Sequence, residues 1–340
     1  MNDRLNALLT ELGCASLQSL VQLHAHASYR TYYRANLTDG SSLVVMVMPQ
    51  GMASASEEIT NAQGVTDELP FVQIGRALAT AELPVPRVRH FSAADNWLLL
   101  EDLGDMLLAN AVADADIETL RTWYRRAIDL LAELQRKGSG LRVEGCIALR
   151  RSFDATLLNW EFDHFREFGL MARLPEPPRE AFFKTFQQWT RKLTDQILEM
   201  SYCFTHRDFQ SRNLIVHHDR LFMLDFQDAL RGPYVYDLVA LLRDSYVELP
   251  QELVYELVDY FAEKSGRDPK QTRLDFHRVT VQRKLKDAGR FVYIDRVKGN
   301  PDFLPFIPTS LRYVRAALEQ IPEGPALYEV MKPYVPEWKE

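Results

Sequence analysis

The chain has little of what marks membrane, secreted or nucleic-acid-binding proteins. No uncharged apolar run reaches the roughly 18 residues that a helix needs to cross a bilayer. The first residues and the amphipathic stretch after them do not have the pattern of a signal peptide. The net charge of −7 argues against nucleic acid as a main partner, because phosphate backbones attract a basic surface. We therefore expect a cytoplasmic protein with neither a nucleic-acid nor a membrane partner, and the sequence does not indicate an oligomeric state.

Cysteine is also scarce. The three cysteines, Cys14, Cys146 and Cys203, are odd in number and lack the spacing of metal ligands. We interpret them as reduced, mostly buried thiols of a protein in a reducing compartment. The composition, 46% hydrophobic and 26% charged over 340 residues, is typical of a globular protein with one large domain or two lobes.

One segment combines three polar groups in an order that suits phosphoryl transfer. Asp208 follows His206 in an H-x-D pattern, Asn213 lies further along the same loop, and an Asp225-Phe226 pair follows. Transfer of a phosphoryl group from ATP needs a group that accepts a hydroxyl proton and oxygen ligands that hold magnesium. We assign Asp208 as the catalytic base and Asn213 and Asp225 as the metal ligands, with ATP and Mg²⁺ as cofactors. The H-x-D pattern or an Asp-Phe pair alone is common in proteins. The assignment depends on finding these groups together, in this order.

Two apolar runs around the polar segment 217–220 predict a β-hairpin. If Val216 pairs with Leu221, then Asn213 lies opposite Leu224. Because neighbouring strands are about 4.8 Å apart, Asn213 and Asp225 would emerge together at one end of the hairpin. One magnesium ion can then use both side chains.

Periodicity predicts further elements. The first part of the chain should contain an amphipathic helix running from Asn6 to Leu20, strands at 32–37, 42–48 and 97–100, and a helix at 70–83. Most of the remainder should be helical: a helix from Ile117, helical segments over 153–200 with a proline-rich break, and helices near 235–245, 251–264, 274–292 and 309–320.

Residues 203–216 resemble the catalytic loop of the aminoglycoside phosphotransferase and choline kinase superfamily. Residues 224–238 resemble the metal loop of that superfamily and the helix start that follows it. The Phe-Gln after Asp208 and the Phe-Gln-Asp after Asp225 are similar to the bacterial anomeric kinases of N-acetylmuramate and N-acetylglucosamine. Weaker matches extend the resemblance along most of the chain, at 27–34, 153–162, 282–286 and 306–308.

The resemblance implies an α+β, protein-kinase-like fold with two lobes. Residues 1–101 would form a small nucleotide-binding lobe with an antiparallel sheet, and 102–340 a larger, mainly helical lobe with the catalytic and acceptor sites. The hinge would lie near 101–104, where Glu101 and Leu103 would offer backbone groups to adenine; a plain strand-ending turn explains this segment equally well. The implied activity is ATP-dependent phosphorylation of the anomeric hydroxyl of either sugar, in the recycling of cell-wall sugars.

Two features of a kinase small lobe are missing. No G-x-G-x-x-G loop is present, and Met46 stands where the phosphate-binding lysine is expected. Either the protein is inactive, or Arg30 and Arg34 replace the lysine with help from Ser28 and nearby backbone N–H groups. The resembled sugar kinases share these departures, which favours replacement. The alternative for each arginine is a solvated strand face.

The acceptor site is less strongly indicated. Six side chains are candidates for contact with the sugar: Asp154, Trp160, Glu161, Arg207, Gln227 and Asp228. Positions in the core or in loop-bracing ion pairs are the alternatives for most of them. His206 and Asp237 are expected to support the catalytic loop, Asp237 through backbone N–H groups at a helix start.

A basic stripe is a further possibility. Arg283, Lys286 and Arg290 recur at helical spacing, and N-acetylmuramate, unlike N-acetylglucosamine, carries a lactyl carboxylate that needs a cation. A solvated helix face explains such a stripe as well.

Two other functions stay open at this point. A kinase of an aminoglycoside or amino-alcohol would suit the acidic charge of the chain. A nucleotide-binding pseudokinase would suit Met46, although such a protein has no need for Asp208, Asn213 and Asp225 together.

Overall fold

The computed structural model describes residues 2–23, 30–48, 68–92 and 95–339. The predicted contribution of Ser28 to nucleotide binding lies outside these residues.

A five-stranded antiparallel sheet forms the N-terminal part of the protein. Its strands are β1 (Leu17–Leu23), β2 (Thr31–Leu37), β3 (Ser42–Val47), β4 (Val88–Ser92) and β5 (Trp97–Glu101). They lie in the order β1-β2-β3-β5-β4, and every neighbouring pair is antiparallel. The predicted strands β2, β3 and β5 are confirmed.

Among the residues that the structure describes, two helices pack on the sheet. Helix α1 (Asn2–Glu11) buries Leu5 and Leu9 against Val45 and Leu99 on one face. Helix α2 (Pro70–Thr80) packs on the other face, where the sheet joins the main core. Met46 is completely buried in that core, so the side chain at the expected lysine position packs among apolar groups.

The prediction that the first helix extends to Leu20 is wrong. Gly13 adopts φ 68, and the Cys14 N–H donates to the Leu9 carbonyl, which together close the helix after Glu11. The next residues form β1 by pairing with β2, a long-range contact that local periodicity does not report.

The rest of the chain is mainly helical, with nine helices in the part that the structure describes: α3 (Leu108–Ala111), α4 (Ile117–Ser139), α5 (Ala155–His164), α6 (Glu180–Leu198), α7 (Tyr236–Leu242), α8 (Gln251–Lys264), α9 (Pro269–Lys298), α10 (Ile307–Leu318) and α11 (Gly324–Met331). A π-helical segment, Phe165–Met171, continues α5. The helices predicted from 117, 235, 251, 274 and 309 onward are confirmed to within a few residues. None of the helices in the described ranges is both long enough and apolar enough to span a bilayer.

Two further two-stranded antiparallel sheets follow, and one of them is a hairpin, β7–β8. Strand β6 (Tyr202–Thr205) pairs with β9 (Leu230–Pro233), and β7 (Leu214–His217) pairs with β8 (Arg220–Met223). The predicted register is confirmed, since Val216 pairs with Leu221. The connection is shorter than the four residues expected: only His218 and Asp219 form the turn, both at positive φ, because such a two-residue turn matches the twist of the strands.

Candidate active site

The predicted catalytic loop leaves β6 and is held in place by the start of α7. The Asp237 carboxylate accepts hydrogen bonds from the backbone N–H groups of His206, at 2.6 Å, and Arg207, at 2.9 Å. Arg207 adopts φ 78, and the side chains of His206 and Arg207 are both buried. Asp208 follows with its side chain 35% exposed, so the loop presents this carboxylate at the surface of the site. His206 lies edge-on to Phe209, and burial lowers its pKa to about 4, which keeps the ring neutral.

We expect Asp237→Ala to destabilise the protein by about 3 kcal/mol, because it leaves two buried N–H donors without an acceptor. Burial raises the pKa of Asp237 to about 7 while the two donors oppose the shift, so urea unfolding should be compared at pH 8, where the carboxylate is ionised. Asp237→Asn keeps one acceptor and should lose less. Equal stability of Asp237→Ala and the wild type would show that Asp237 does not support the loop.

A buried arginine from α9 holds the catalytic loop from the other side. Arg283 donates to the Arg207 carbonyl oxygen at 2.7 Å and to Asp208 Oδ1 at 3.3 Å. Burial of Asp208 favours the protonated acid, but the charges of Lys286 and Arg283 outweigh it and lower the pKa below its ordinary value. Asp208 is therefore an ionised hydrogen-bond acceptor at neutral pH, as an anchor for a substrate hydroxyl requires.

The two predicted metal ligands lie side by side at the base of the β7–β8 hairpin. The Leu224 N–H donates to the Asn213 carbonyl at 2.8 Å, which places Asp225 directly beside Asn213. Asn213 Nδ2 donates to the Asp208 carbonyl oxygen at 2.9 Å, so its Oδ1 is left as the atom that can bind a cation. These oxygen donors fit magnesium, which uses one or two protein ligands together with phosphate oxygens.

Packing against α2 fixes the backbone at Asp225. Asp225 adopts φ 61, and the next residue, Phe226, is buried against Phe71 with ring centroids 4.7 Å apart. A Cβ at Gly75 would lie 3.1 Å from the Phe226 ring, so a small residue on α2 allows this approach. The apolar anchor therefore turns the Asp225 carboxylate, 41% exposed, toward the site.

Arg30 reaches across from the start of β2 to this carboxylate. Its Nη1 lies 2.9 Å from Asp225 Oδ1. Burial raises the pKa of Asp225, and the charge of Arg30 opposes that shift. The structure thus brings Arg30, a predicted phosphate ligand, together with the predicted metal site.

Arg34 lies elsewhere. It forms hydrogen bonds with Asp102 and Asp105 in the predicted hinge, and Ser42 Oγ also donates to Asp102. The structure therefore does not bring Arg34 next to Asp225; instead Arg34 links β2 to Asp102 in the predicted hinge and to Asp105 just after it.

The predicted adenine-binding segment has one available backbone donor. The Glu101 N–H donates to the Arg87 carbonyl, and the Leu103 carbonyl lies 3.0 Å from His217 Nδ1. Within the described ranges, the Leu103 N–H makes no hydrogen bond. This donor is compatible with the predicted role of Leu103.

The acceptor candidates divide into two groups. Glu161 is completely buried and accepts hydrogen bonds from Arg207, at 3.3 Å, and Gln282, at 2.6 Å. In this structure the Arg207–Glu161 pair braces the catalytic loop from behind. Asp154 caps α5 by accepting from the Leu157 N–H. Direct contact of these three side chains with a sugar stays a prediction.

The other candidates are Trp160, on α5, and Gln227 and Asp228, which follow Asp225; Gln227 is buried. Trp160 is half-buried and stacks on His164, with ring centroids 5.2 Å apart. Gln227 donates to Asp228 at 3.2 Å, directly after Asp225. Arg283, which the sequence grouped with Lys286 and Arg290 in a basic stripe, does not lie on a solvated helix face. It is buried and donates a hydrogen bond to the Arg207 carbonyl oxygen.

Comparisons with known proteins identify the family of the chain. Residues 19–274 match the profile described as "Phosphotransferase enzyme family". The chain is 31% identical to the N-acetylmuramate/N-acetylglucosamine kinase of Neisseria meningitidis serogroup B, covering 90% of this chain and 88% of that protein. It is 30% identical to the protein of the same name from Pseudomonas aeruginosa, covering 92% and 87%.

Solved structures show the fold. A choline/ethanolamine kinase family protein from Mesorhizobium loti aligns with a TM-score of 0.61 at 15% identity, over 97% of this chain and 99% of that chain. The ADP-bound aminoglycoside phosphotransferase APH(2'')-Ib aligns with a TM-score of 0.60 at 14% identity, over 95% and 97%. The predicted protein-kinase-like α+β fold is thereby confirmed, and the chain belongs to the phosphotransferase enzyme family.

Proposed function

We propose that the protein is an ATP-dependent sugar kinase that phosphorylates the anomeric hydroxyl of N-acetylmuramate, N-acetylglucosamine or both. One observation carries the proposal: Asp208, Asn213 and Asp225 lie together. The Asn213 amide donates to the Asp208 carbonyl, Asp225 lies beside Asn213, and the lowered pKa of Asp208 keeps its carboxylate ionised. A proton acceptor and two oxygen ligands are what transfer of a phosphoryl group requires. The names of relatives at about 30% identity support the choice of sugar.

Asp208 would orient the acceptor hydroxyl and accept its proton. An anomeric hydroxyl is more acidic than an ordinary alcohol, so a weakly basic carboxylate suffices. Asn213 and Asp225 would hold Mg²⁺, which when bound neutralises the charge between the β- and γ-phosphates. Arg283, bonded to Asp208 Oδ1, would keep the carboxylate ionised and oriented.

The nucleotide would bind between the two predicted lobes, 1–101 and 102–340. Leu103 has a backbone N–H available to adenine, and related structures are described as complexes with AMP and ADP. Arg30 would replace the missing lysine, since Met46 is buried and cannot approach phosphate. Arginine offers a planar fork that matches phosphate oxygens.

We expect Arg30→Met to raise the KM for ATP about tenfold while it leaves the KM for the sugar nearly constant, because a phosphate ligand contributes mainly to nucleotide binding. Steady-state kinetics with each substrate varied in turn measure both constants. Arg89→Met, a matched loss of charge on β4, serves as the control. An unchanged KM for ATP would mean that another cation replaces the lysine.

The proposal includes a small-molecule sugar as the partner, a cytoplasmic location and a place in cell-wall sugar recycling. Free, buried Cys146 and Cys203 are compatible with a reducing compartment. The pseudokinase alternative is disfavoured by the juxtaposition of Asp208, Asn213 and Asp225, and the aminoglycoside alternative by the names of the relatives.

Phosphate transfer from ATP and Mg²⁺ to N-acetylmuramate, N-acetylglucosamine, kanamycin and choline, followed by phosphorus NMR, tests the function. An anomeric phosphate on either N-acetyl sugar is the expected product. Transfer to kanamycin or choline alone would establish the alternative enzyme, and ATP binding without transfer to any acceptor would favour the pseudokinase.

A further inference from the structure

Helices α5 and α9 run closely side by side next to the catalytic loop. A Cβ at Gly289 would lie 2.8 Å from Phe165 Cα and 3.0 Å from the His164 carbonyl oxygen, so only glycine permits this approach. At the end nearer Asp208, Gln282 on α9 donates to Glu161 on α5 at 2.6 Å. The two helices therefore present neighbouring side chains along one surface that starts at the catalytic carboxylate.

Aromatic and basic side chains lie along this surface of α5 and α9. We name it the α5–α9 shelf, and its members are Trp160, His164, Lys286, Arg290 and Tyr293. His164 stacks on Trp160 with ring centroids 5.2 Å apart and contacts Tyr293 at 5.3 Å. Arg290 lies 4.8 Å over the Tyr293 ring. Trp160, Lys286, Arg290 and Tyr293 are half-buried, so they line the surface rather than the core.

The positive charge of the shelf comes from Lys286 and Arg290. Burial and these two cations lower the pKa of His164 to about 4, so the imidazole stays neutral. Lys286 also exerts the largest of the charge effects that lower the pKa of Asp208. Lys286 therefore acts on both Asp208 and His164, and Arg290 acts on His164 and Tyr293.

Few carboxylates lie close to Lys286 and Arg290. Lys286 Nζ lies 3.3 Å from Asp287 Oδ1, but Lys284 already holds the other oxygen of Asp287 at 2.8 Å. Asp287 thus contacts both ammonium groups, while Asp208 acts on Lys286 and Asp244 on Lys284 at longer range. Within the described ranges, no carboxylate lies within 4.0 Å of the Arg290 guanidinium. The shelf retains positive charge that a ligand anion can neutralise.

The spacing suits an acceptor whose anomeric hydroxyl is at Asp208. Arg283, which bonds Asp208, is followed on α9 by Lys286 about 4.5 Å and by Arg290 about 10.5 Å further along the axis, at 1.5 Å per residue. A sugar bound by its anomeric end would extend its other substituents toward Lys286. N-acetylmuramate carries its lactyl carboxylate on such a substituent, and N-acetylglucosamine has a neutral hydroxyl there.

We propose that Lys286 and Arg290 form a subsite for a carboxylate on the acceptor, and that this subsite selects N-acetylmuramate over neutral amino sugars. The inference rests on the proposed function and specifies its substrate class. It identifies the stripe of Lys286 and Arg290 as a specificity determinant rather than a solvated face. Arg283, which is buried, belongs to the catalytic loop instead.

The test compares kcat/KM for N-acetylmuramate, its lactyl methyl ester and N-acetylglucosamine. The wild type should prefer the free acid over the ester, and Lys286→Met should reduce this preference about tenfold, because a charge-assisted contact to the carboxylate is lost. Lys286→Met also removes a charge near Asp208, and the ratio between acid and ester cancels that general effect. Asp287 keeps its contact with Lys284, so no unpaired buried carboxylate results.

Arg290→Gln provides a second variant should Lys286→Met fold poorly, and it should also reduce the preference. Arg296→Gln is the control, since this arginine lies on the same helix with its side chain 62% exposed. Equal preference for acid and ester in the wild type, or an unchanged preference in both variants, would overturn the subsite but leave the proposed function standing. A wild type that phosphorylates neither sugar would overturn both.

Discussion

Asp208→Asn is expected to lower kcat for phosphate transfer by about a thousandfold, because an amide cannot accept the proton of the acceptor hydroxyl. The substitution preserves the shape of the side chain, and the loop keeps the two backbone bonds to Asp237. Nucleotide binding should therefore persist nearly unchanged. Single-turnover rates and the dissociation constant of ATP with Mg²⁺ measure the two effects separately.

The environment of Asp208 sharpens this expectation. Arg283 and Lys286 hold its pKa below the ordinary value, so the carboxylate is ionised at neutral and mildly acidic pH. Loss of activity on moderate acidification should therefore not come from protonation of Asp208. Asp163→Asn, on the exposed face of α5, removes the same charge at a distance from the site and is the matched control. Turnover of Asp208→Asn near that of the control would refute the assignment.

The catalytic hairpin was predictable because its information is local. Two apolar runs separated by a polar turn set the register, and the register alone brings Asn213 beside Asp225. Helices such as α8 were predictable for the same reason, since a helical period is a local property. The turn itself was overestimated because the predicted connection included His217 and Arg220, which pair with each other as the last residues of the strands.

The strand β1 was missed because it depends on its pairing with β2, up to 20 residues away. Residues 17–20 carry leucines at a spacing that also fits a helix, and only pairing with β2 and the left-handed Gly13 decide for a strand. Tertiary pairing overrides a weak local preference in such segments.

Charged residues of the site were harder still. Glu161 and Arg283 have the sequence spacing of exposed helix positions, yet both are buried against partners 46 and 75 residues away. A sequence pattern reports that a charge exists but not that a neighbouring helix supplies its counter-charge. The bracing of the catalytic loop by Arg283 therefore appears only once α9 is packed against it.

The second large effect is expected at Asp225. Asp225→Asn should raise the Mg²⁺ concentration required for half-maximal activity by more than about tenfold and lower kcat/KM strongly, since it replaces a charged oxygen ligand by a neutral one. The backbone should tolerate the change, because asparagine adopts positive φ as readily as aspartate and Phe226 keeps its contact with Phe71. A magnesium titration at saturating ATP measures the shift.

Asp219→Asn is the control for this variant, because Asp219 has nearly the same backbone conformation, φ 59, at the tip of the hairpin and lies away from the metal site. An unchanged magnesium requirement in Asp225→Asn would mean that the metal is held elsewhere.

The ion pair with Arg30 gives the Asp225 substitution a second consequence. Arg30 Nη1 lies 2.9 Å from Asp225 Oδ1, so a magnesium ion bound at Asp225 would compete with Arg30 for one carboxylate. If Arg30 leaves Asp225 to bind phosphate when the nucleotide binds, Asp225→Asn removes its carboxylate partner beforehand. The variant should then bind metal-free ATP at least as tightly as the wild type does. Binding of ATP with Mg²⁺ should weaken in the same variant. Calorimetry with and without the metal measures these two affinities. Opposite changes would indicate loss of a metal ligand, whereas general damage to the site would weaken both.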